Sequence, residues 1–88
     1  MGTMLIGIEK VSETETIARY KFNDDFANNV LKFTDGFGII EINKLTGNCD
    51  IVKPMHGDYS GKSAFYAGRK LVSHWKNGEF PDKTCWAS

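Results

Sequence analysis

The sequence predicts one small α+β domain, an antiparallel β-meander of four to five strands with one C-terminal amphipathic helix packed on one face. Three observations indicate this class. Apolar and polar residues alternate with period two through much of the first half of the chain. A tight hairpin signal lies near the middle, and a single segment with helical periodicity follows it. No strand-helix-strand crossover is present, which favours an antiparallel sheet with one covered face and one open face.

The first two strands are predicted to form a hairpin. Residues 4–10 alternate between apolar side chains and small or polar ones, and residues 12–15 are polar and turn-like. In residues 18–22, small and aromatic side chains alternate with Arg19 and Lys21. We expect these two segments to pair with each other.

The next segment allows two interpretations. Residues 23–29 are rich in Asn and Asp, which favour a loop or one helical turn. Residues 30–33 and 37–42 form either two short strands joined by an Asp-Gly turn at 35–36 or a single irregular strand.

The strongest hairpin signal begins at the apolar run 39–42. Asn43 favours a turn and Gly47 accepts a left-handed backbone, after which the chain returns through residues 49–52. Pro54 then ends the strand.

The amphipathic helix is predicted over residues 62–76. Its apolar stripe is predicted to contain Ala64, Phe65, Gly68, Leu71, Val72 and Trp75. Tyr66 lies off this stripe, and Ala64, Ala67 and Gly68 are small where the helix approaches the strands. Gly78 ends the helix and Pro81 prevents its resumption, so residues 79–88 are expected to form a C-terminal tail.

The short length and zero net charge of the chain limit the number of domains and the kinds of partner that are expected. A chain of 88 residues supports one domain, 1–88, of ordinary globular composition. Eleven basic residues balance eleven acidic ones, so neither nucleic acid nor a membrane is favoured as the partner. No leader or membrane-spanning run is evident, and a cytoplasmic location is expected. Met4 is a candidate native start, with residues 1–3 a candidate cloning remnant.

The two cysteines suggest no metal or redox site. Cys49 and Cys85 are far apart and form no C-x-x-C pair; free thiols are expected in the cytosol, and a disulfide if the protein is exported. We interpret Cys49 as a structural residue. The last four residues, 85–88, match the outline of a prenylation box only loosely, because Trp86 is not aliphatic.

One small constellation is compatible with catalysis. His56, Asp58 and His74 are residue types that bind metals or transfer protons, so a small metal-dependent enzyme is one alternative. Their spacing matches no known pattern and no nucleophile accompanies them, so solvated or hydrogen-bonded side chains are expected. We therefore predict a non-enzymatic domain without catalytic residues, metal or cofactor.

Charge is expected to be polarised across the molecule. The helix carries a basic outer side, whereas most carboxylates belong to the strands and turns. A protein partner is therefore predicted to contact acidic residues around one apolar anchor. The predicted partner-binding residues are Asp24, Asp25, Asp35, Phe37 and Glu41.

Three segments carry a resemblance to known proteins. These are the hairpin run 39–47, the strand end 51–54 before the helix, and residues 78–86 after it. Together they resemble small uncharacterised bacterial proteins, some of them similar to immunity proteins of polymorphic toxin systems. The resemblance implies a cytosolic inhibitor that binds a cognate toxin domain. A self-associating regulatory or structural module, dimerising through a sheet edge, is the other alternative.

Overall fold

The computed structural model describes residues 5–23 and 36–87. It contains a five-stranded antiparallel sheet with one helix packed on it, so the predicted α+β class is confirmed. The elements are β1 (Leu5–Glu13), β2 (Ile17–Asn23), β3 (Gly38–Asn43), β4 (Cys49–Lys53), α1 (Lys62–Lys76) and β5 (Lys83–Ala87). The strand order across the sheet is β4-β3-β2-β1-β5.

The fifth strand lies where the sequence indicated only a tail. After α1 the chain returns to the sheet, and β5 pairs antiparallel with β1 from Leu5 opposite Ala87 to Glu9 opposite Lys83. The expected tail, 79–88, therefore contains an edge strand. The alternative strand considered at 30–33 lies outside the described residues.

The core lies between α1 and the sheet face that it covers. Strand alternation directs every second side chain of β1, β2 and β3 to this face. The buried hydrophobic residues are Ile6, Ile8, Ala18, Tyr20, Phe22, Ile40, Ile42, Met55, Ala64, Ala67 and Leu71. Burial of one large aliphatic side chain of this kind contributes about 1.5–3 kcal/mol. The hydroxyl of Tyr20 donates to the Pro81 carbonyl at 2.9 Å, so the core strand β2 also holds the segment before β5.

Small residues allow α1 to approach the sheet closely, as predicted. A Cβ atom on Gly68 would lie 3.3 Å from Cδ1 of Ile40. Ala67, one position earlier, is fully buried. The helix ends at Lys76, and Gly78 follows it with the left-handed backbone expected after a helix end. The Gly78 N–H donates to the Trp75 carbonyl at 2.9 Å.

The β3–β4 hairpin has the predicted turn chemistry. Oδ1 of Asn43 accepts the N–H groups of Leu45 at 2.8 Å and Thr46 at 3.1 Å. Gly47 has a φ of 80°, and the ring of Trp75 lies directly against it. Nε1 of Trp75 donates to the Lys44 carbonyl at 2.8 Å, which fixes the end of α1 to the hairpin turn.

A small ionic cluster joins the end of β1 to this turn. The Glu13 carboxylate accepts from Nζ of Lys10 at 2.6 Å and also from Nζ of Lys44. These two hydrogen bonds lower the pKa of Glu13 to about 2. The Lys44 ammonium also lies 4.9 Å from the centre of the Phe80 ring, so the cluster contacts the segment between α1 and β5.

Replacing Gly47 with alanine is expected to destabilise the fold by about 3 kcal/mol, from left-handed strain and overpacking together. The new Cβ would lie 2.8 Å from atoms of the Trp75 ring. Urea unfolding measures the free energy. Gly57→Ala is the matched control, because Gly57 has a φ of 85° and no atom of another described residue lies within 4 Å of an added Cβ. A loss of about 1 kcal/mol is expected there. If both variants lost the same free energy of unfolding, the role assigned to Trp75 would be contradicted.

The stability contributed by Glu13 is expected to depend on pH. Its pKa is lower in the folded state, so the contribution is complete above pH 4.5 and is lost as the pH falls towards about 2. Glu13→Gln should therefore flatten the stability profile over this interval, measured by urea unfolding at successive pH values. Glu15→Gln is the control, because Glu15 has no hydrogen bond or ion pair with a described residue. A Glu13→Gln profile as steep as that of the parent protein would refute the assignment.

Candidate functional site

A groove lies between α1 and the edge strand β4, here called the α1–β4 groove. Its volume is about 640 Å³. Strand residues form its floor, small and apolar helix residues form its wall, and polar or charged helix residues form much of its rim. The lining residues are Ile40, Cys49, Ile51, Gly61, Ala64, Phe65, Gly68, Arg69, Val72, Ser73 and Lys76.

The groove exists because only one flank of α1 is filled by a strand. On the β5 side, the Trp86 ring stacks on Tyr66 with centroids 5.1 Å apart. On the same side, Oγ1 of Thr84 lies 2.9 Å from Nε2 of His74. On the other side, the sheet of the described residues ends at β4, which pairs there with β3 alone. The space that a further strand would occupy is the groove.

Two large apolar side chains are exposed at this groove. The exposed fraction is 52% for Ile51 and 61% for Phe65. The sequence assigned Phe65 to the helix stripe that faces the sheet, and the structure corrects this, because Phe65 is largely exposed and lines the groove. Tyr66, which the periodicity placed off the stripe, instead packs on Trp86. Neighbouring exposed apolar side chains lining a groove are typical of a binding site.

The rim of the groove is positively charged. Segment 62–76 contains four basic residues and no carboxylate. Arg69 lies over two rings, with its Cζ 6.0 Å from the centre of Phe65 and 5.7 Å from that of Trp86. Lys76 forms no ion pair with any residue in the described ranges. The rim therefore favours a ligand that carries negative charge.

The thiol of Cys49 on the groove floor is held in its protonated form. Burial, with a smaller effect from the Asp50 carboxylate, raises the pKa of its thiol to about 11. Its Sγ lies 3.9 Å from the Gly68 carbonyl oxygen, between the strand and the helix. The sequence interpretation of Cys49 as a structural residue agrees with this position.

Cys49 and Cys85 cannot form a disulfide within the chain. They belong to β4 and β5, the two edge strands of the sheet, which lie roughly 19 Å apart at the usual strand spacing. Cys85 is opposite Gly7 in the β1–β5 pairing and so belongs to a strand of the sheet.

The structure does not bring His56, Asp58 and His74 together. The Asp58 carboxylate accepts the N–H groups of Ser63 and Ala64, each at 3.1 Å, and thereby caps the start of α1. His74, near the other end of the helix, contacts Thr84 and the Glu79 carboxylate.

His56 is exposed, and its backbone N–H donates to the Gly36 carbonyl at 2.8 Å; its side chain has no hydrogen bond to a described residue. Within residues 5–23 and 36–87, no group of three or more His, Cys, Asp or Glu side chains is arranged to hold a metal.

Two of the five predicted partner-binding residues are described. Nζ of Lys53 lies 4.4 Å from the centre of the half-buried Phe37 ring. The Glu41 carboxylate accepts from Nε of Arg19 at 2.9 Å, on the sheet face opposite α1. Neither residue lines the groove. Asp24, Asp25 and Asp35 lie outside the described residues.

Comparison with known proteins adds no functional assignment. No protein-family model, curated protein or solved structure matches this chain. Among the described residues, no helix is long and apolar enough to cross a membrane.

The raised pKa of Cys49 predicts slow alkylation. In a Cys85→Ser variant, the rate of reaction with iodoacetamide should keep rising about tenfold per pH unit up to pH ~9.5, because the thiol is far from half ionised there. Mass spectrometry gives the rate. The same variant unfolded in urea is the control, and its rate should level off above pH ~9. A plateau below pH ~9 in the folded protein would contradict the burial of this thiol.

Proposed function

We propose that this chain is a non-catalytic protein-binding domain and that the α1–β4 groove is its main contact surface. The observation that supports this most directly is the exposure of Ile51 and Phe65 beside a groove of about 640 Å³ with a cationic rim. Burial of such side chains against a partner would supply apolar contact energy at the centre of an interface.

The shape of the groove favours a polypeptide over a small molecule. Small-molecule sites usually enclose most of the ligand surface. Here one side is bounded only by β4, whose outer backbone edge has no strand partner among the described residues. A groove that is open along a sheet edge suits a longer occupant that continues beyond both ends.

The resemblance to immunity proteins leads to a more specific proposal for the partner and the role. In that role the domain would bind a cognate bacterial toxin in the cytoplasm and inhibit it by covering its surface. The acidic set Asp24, Asp25, Asp35 and Glu41, with Phe37, would then form a second contact surface, because Phe37 and Glu41 lie away from the groove. The groove is compatible with this role and does not require it.

The rival proposal of a metal-dependent enzyme has less support. It requires His56, Asp58 and His74 to converge, whereas Asp58 caps the start of α1 and His74 contacts Thr84 at the other end. A 15-residue helix is roughly 22 Å long, so these two side chains act far apart.

The proposal is tested by capture from an extract of the source organism. Phe65→Ser should abolish capture of the partner by the tagged protein, because it removes an apolar group from the groove wall. Leu45→Ser is the matched control, since Leu45 is 74% exposed at the hairpin turn and should be dispensable. Quantitative mass spectrometry measures both, and any hit is repeated with purified components. If Phe65→Ser leaves capture of the partner unchanged, the groove is not the contact surface.

A further inference from the structure

The occupant of the α1–β4 groove can be specified further, on the basis of the proposed function. We infer that the groove binds an extended polypeptide segment that adds to β4 as a sixth antiparallel strand, with apolar side chains in the groove and a carboxylate at Lys76. Addition of a strand to a sheet edge is an established mode of peptide recognition.

On its other flank, the molecule already has a strand that extends the sheet and packs against the side of α1. There β5, a five-residue strand, extends the sheet beside β1. Its alternate residues Thr84 and Trp86 contact His74 and Tyr66 of α1. The β4 flank offers the same combination of a sheet edge and a helix side, and no strand within residues 5–23 and 36–87 occupies it.

Within the described residues, the alternation of hydrogen-bonded pairs between β3 and β4 leaves backbone N–H and C=O groups of β4 free to bind a further strand. The N–H of Asn43 donates to the Asn48 carbonyl at 2.8 Å, and hydrogen-bonded pairs alternate along an antiparallel ladder. Asp50, paired with Glu41, therefore directs its backbone groups to β3, whereas Cys49 and Ile51 direct theirs outward. Both outward-facing residues also line the groove floor. A residue hydrogen-bonded to either one would place its own side chain in the groove.

The positive charge of Lys76 favours an occupant with a carboxylate near its C-terminal end. Gly47 contacts the ring of Trp75, so Lys76 lies towards the Cys49 end of β4. An antiparallel strand would reach this end with its C-terminal part, where a carboxylate could pair with the Lys76 ammonium. A second copy of the chain fits less well, because pairing of two β4 edges would bring two carboxylate-free basic helix rims together.

The probe is a labelled seven-residue peptide with capped ends. It has threonine at its odd positions, valine at positions two and four, and glutamate at position six, and binding is measured by fluorescence anisotropy. Methylation of the amide nitrogen at position four should weaken binding at least about tenfold, because that N–H donates to β4. Methylation at position five, whose N–H points away from β4, should leave affinity within about twofold.

The charge contact has its own pair of variants. Lys76→Glu should weaken binding of this probe about tenfold and should favour a probe with lysine at position six. Lys70→Glu is the matched control, because it makes the same charge change on α1 outside the groove lining. It should alter binding little.

Several outcomes would overturn the inference. These are no binding of the probe, equal effects of methylation at positions four and five, and competition by decanoate without any methylation effect. A concentration-dependent doubling of mass that Ile51→Lys abolishes would identify a second copy as the occupant and overturn it too. In any of these cases, capture that depends on Phe65 would still support the proposed binding function, so the two failures are distinguishable.

Discussion

The constraint on which this structure depends is that one helix must cover a five-stranded sheet. An α-helix is about 10 Å across with its side chains, whereas the outer strands of such a sheet lie roughly 19 Å apart. Because α1 is closely seated through Ala67 and Gly68, it covers the middle of the sheet well and cannot cover both flanks. Side chains from β5 fill the space beside α1 on one flank. On the other flank this space stays open among the described residues and forms the α1–β4 groove.

Polar interactions hold both ends of α1 in place. Lys44 contributes its backbone carbonyl to Trp75, its ammonium to Glu13, and a cation–π contact to Phe80. It thus joins the end of β1, the β3–β4 turn and the end of α1 at one end of the groove. At the other end of α1, the Asp58 carboxylate satisfies the first helical N–H groups. The groove therefore lies between two well-anchored ends and is expected to keep its shape without a ligand.

Much of the fold could be predicted from local patterns in the sequence. The helix bounds, the hairpin at Asn43 and Gly47 and the helix end at Gly78 depend on short-range chemistry, which a sequence displays directly. Strand β5 was missed because only Thr84 and Trp86 face the core, and because its partner β1 lies at the other end of the chain.

The groove was missed for a related reason. Phe65 and the residues facing the sheet share one helical periodicity, and only the sheet order shows which of them lie beyond its edge. Asp58 was considered as a possible ligand, whereas its five-residue spacing from Ser63 serves a helix cap. The candidate site therefore depends on long-range topology that no local pattern encodes.

The pairing of β1 with β5 has a consequence for biogenesis. β1 precedes β5 by most of the length of the domain, so one edge of β1 stays unpaired until β5 has been synthesised. An exposed strand edge in a nascent chain invites pairing with other chains. Translation speed through β5 and early chaperone contact with β1 should therefore influence how much of this protein reaches the folded state.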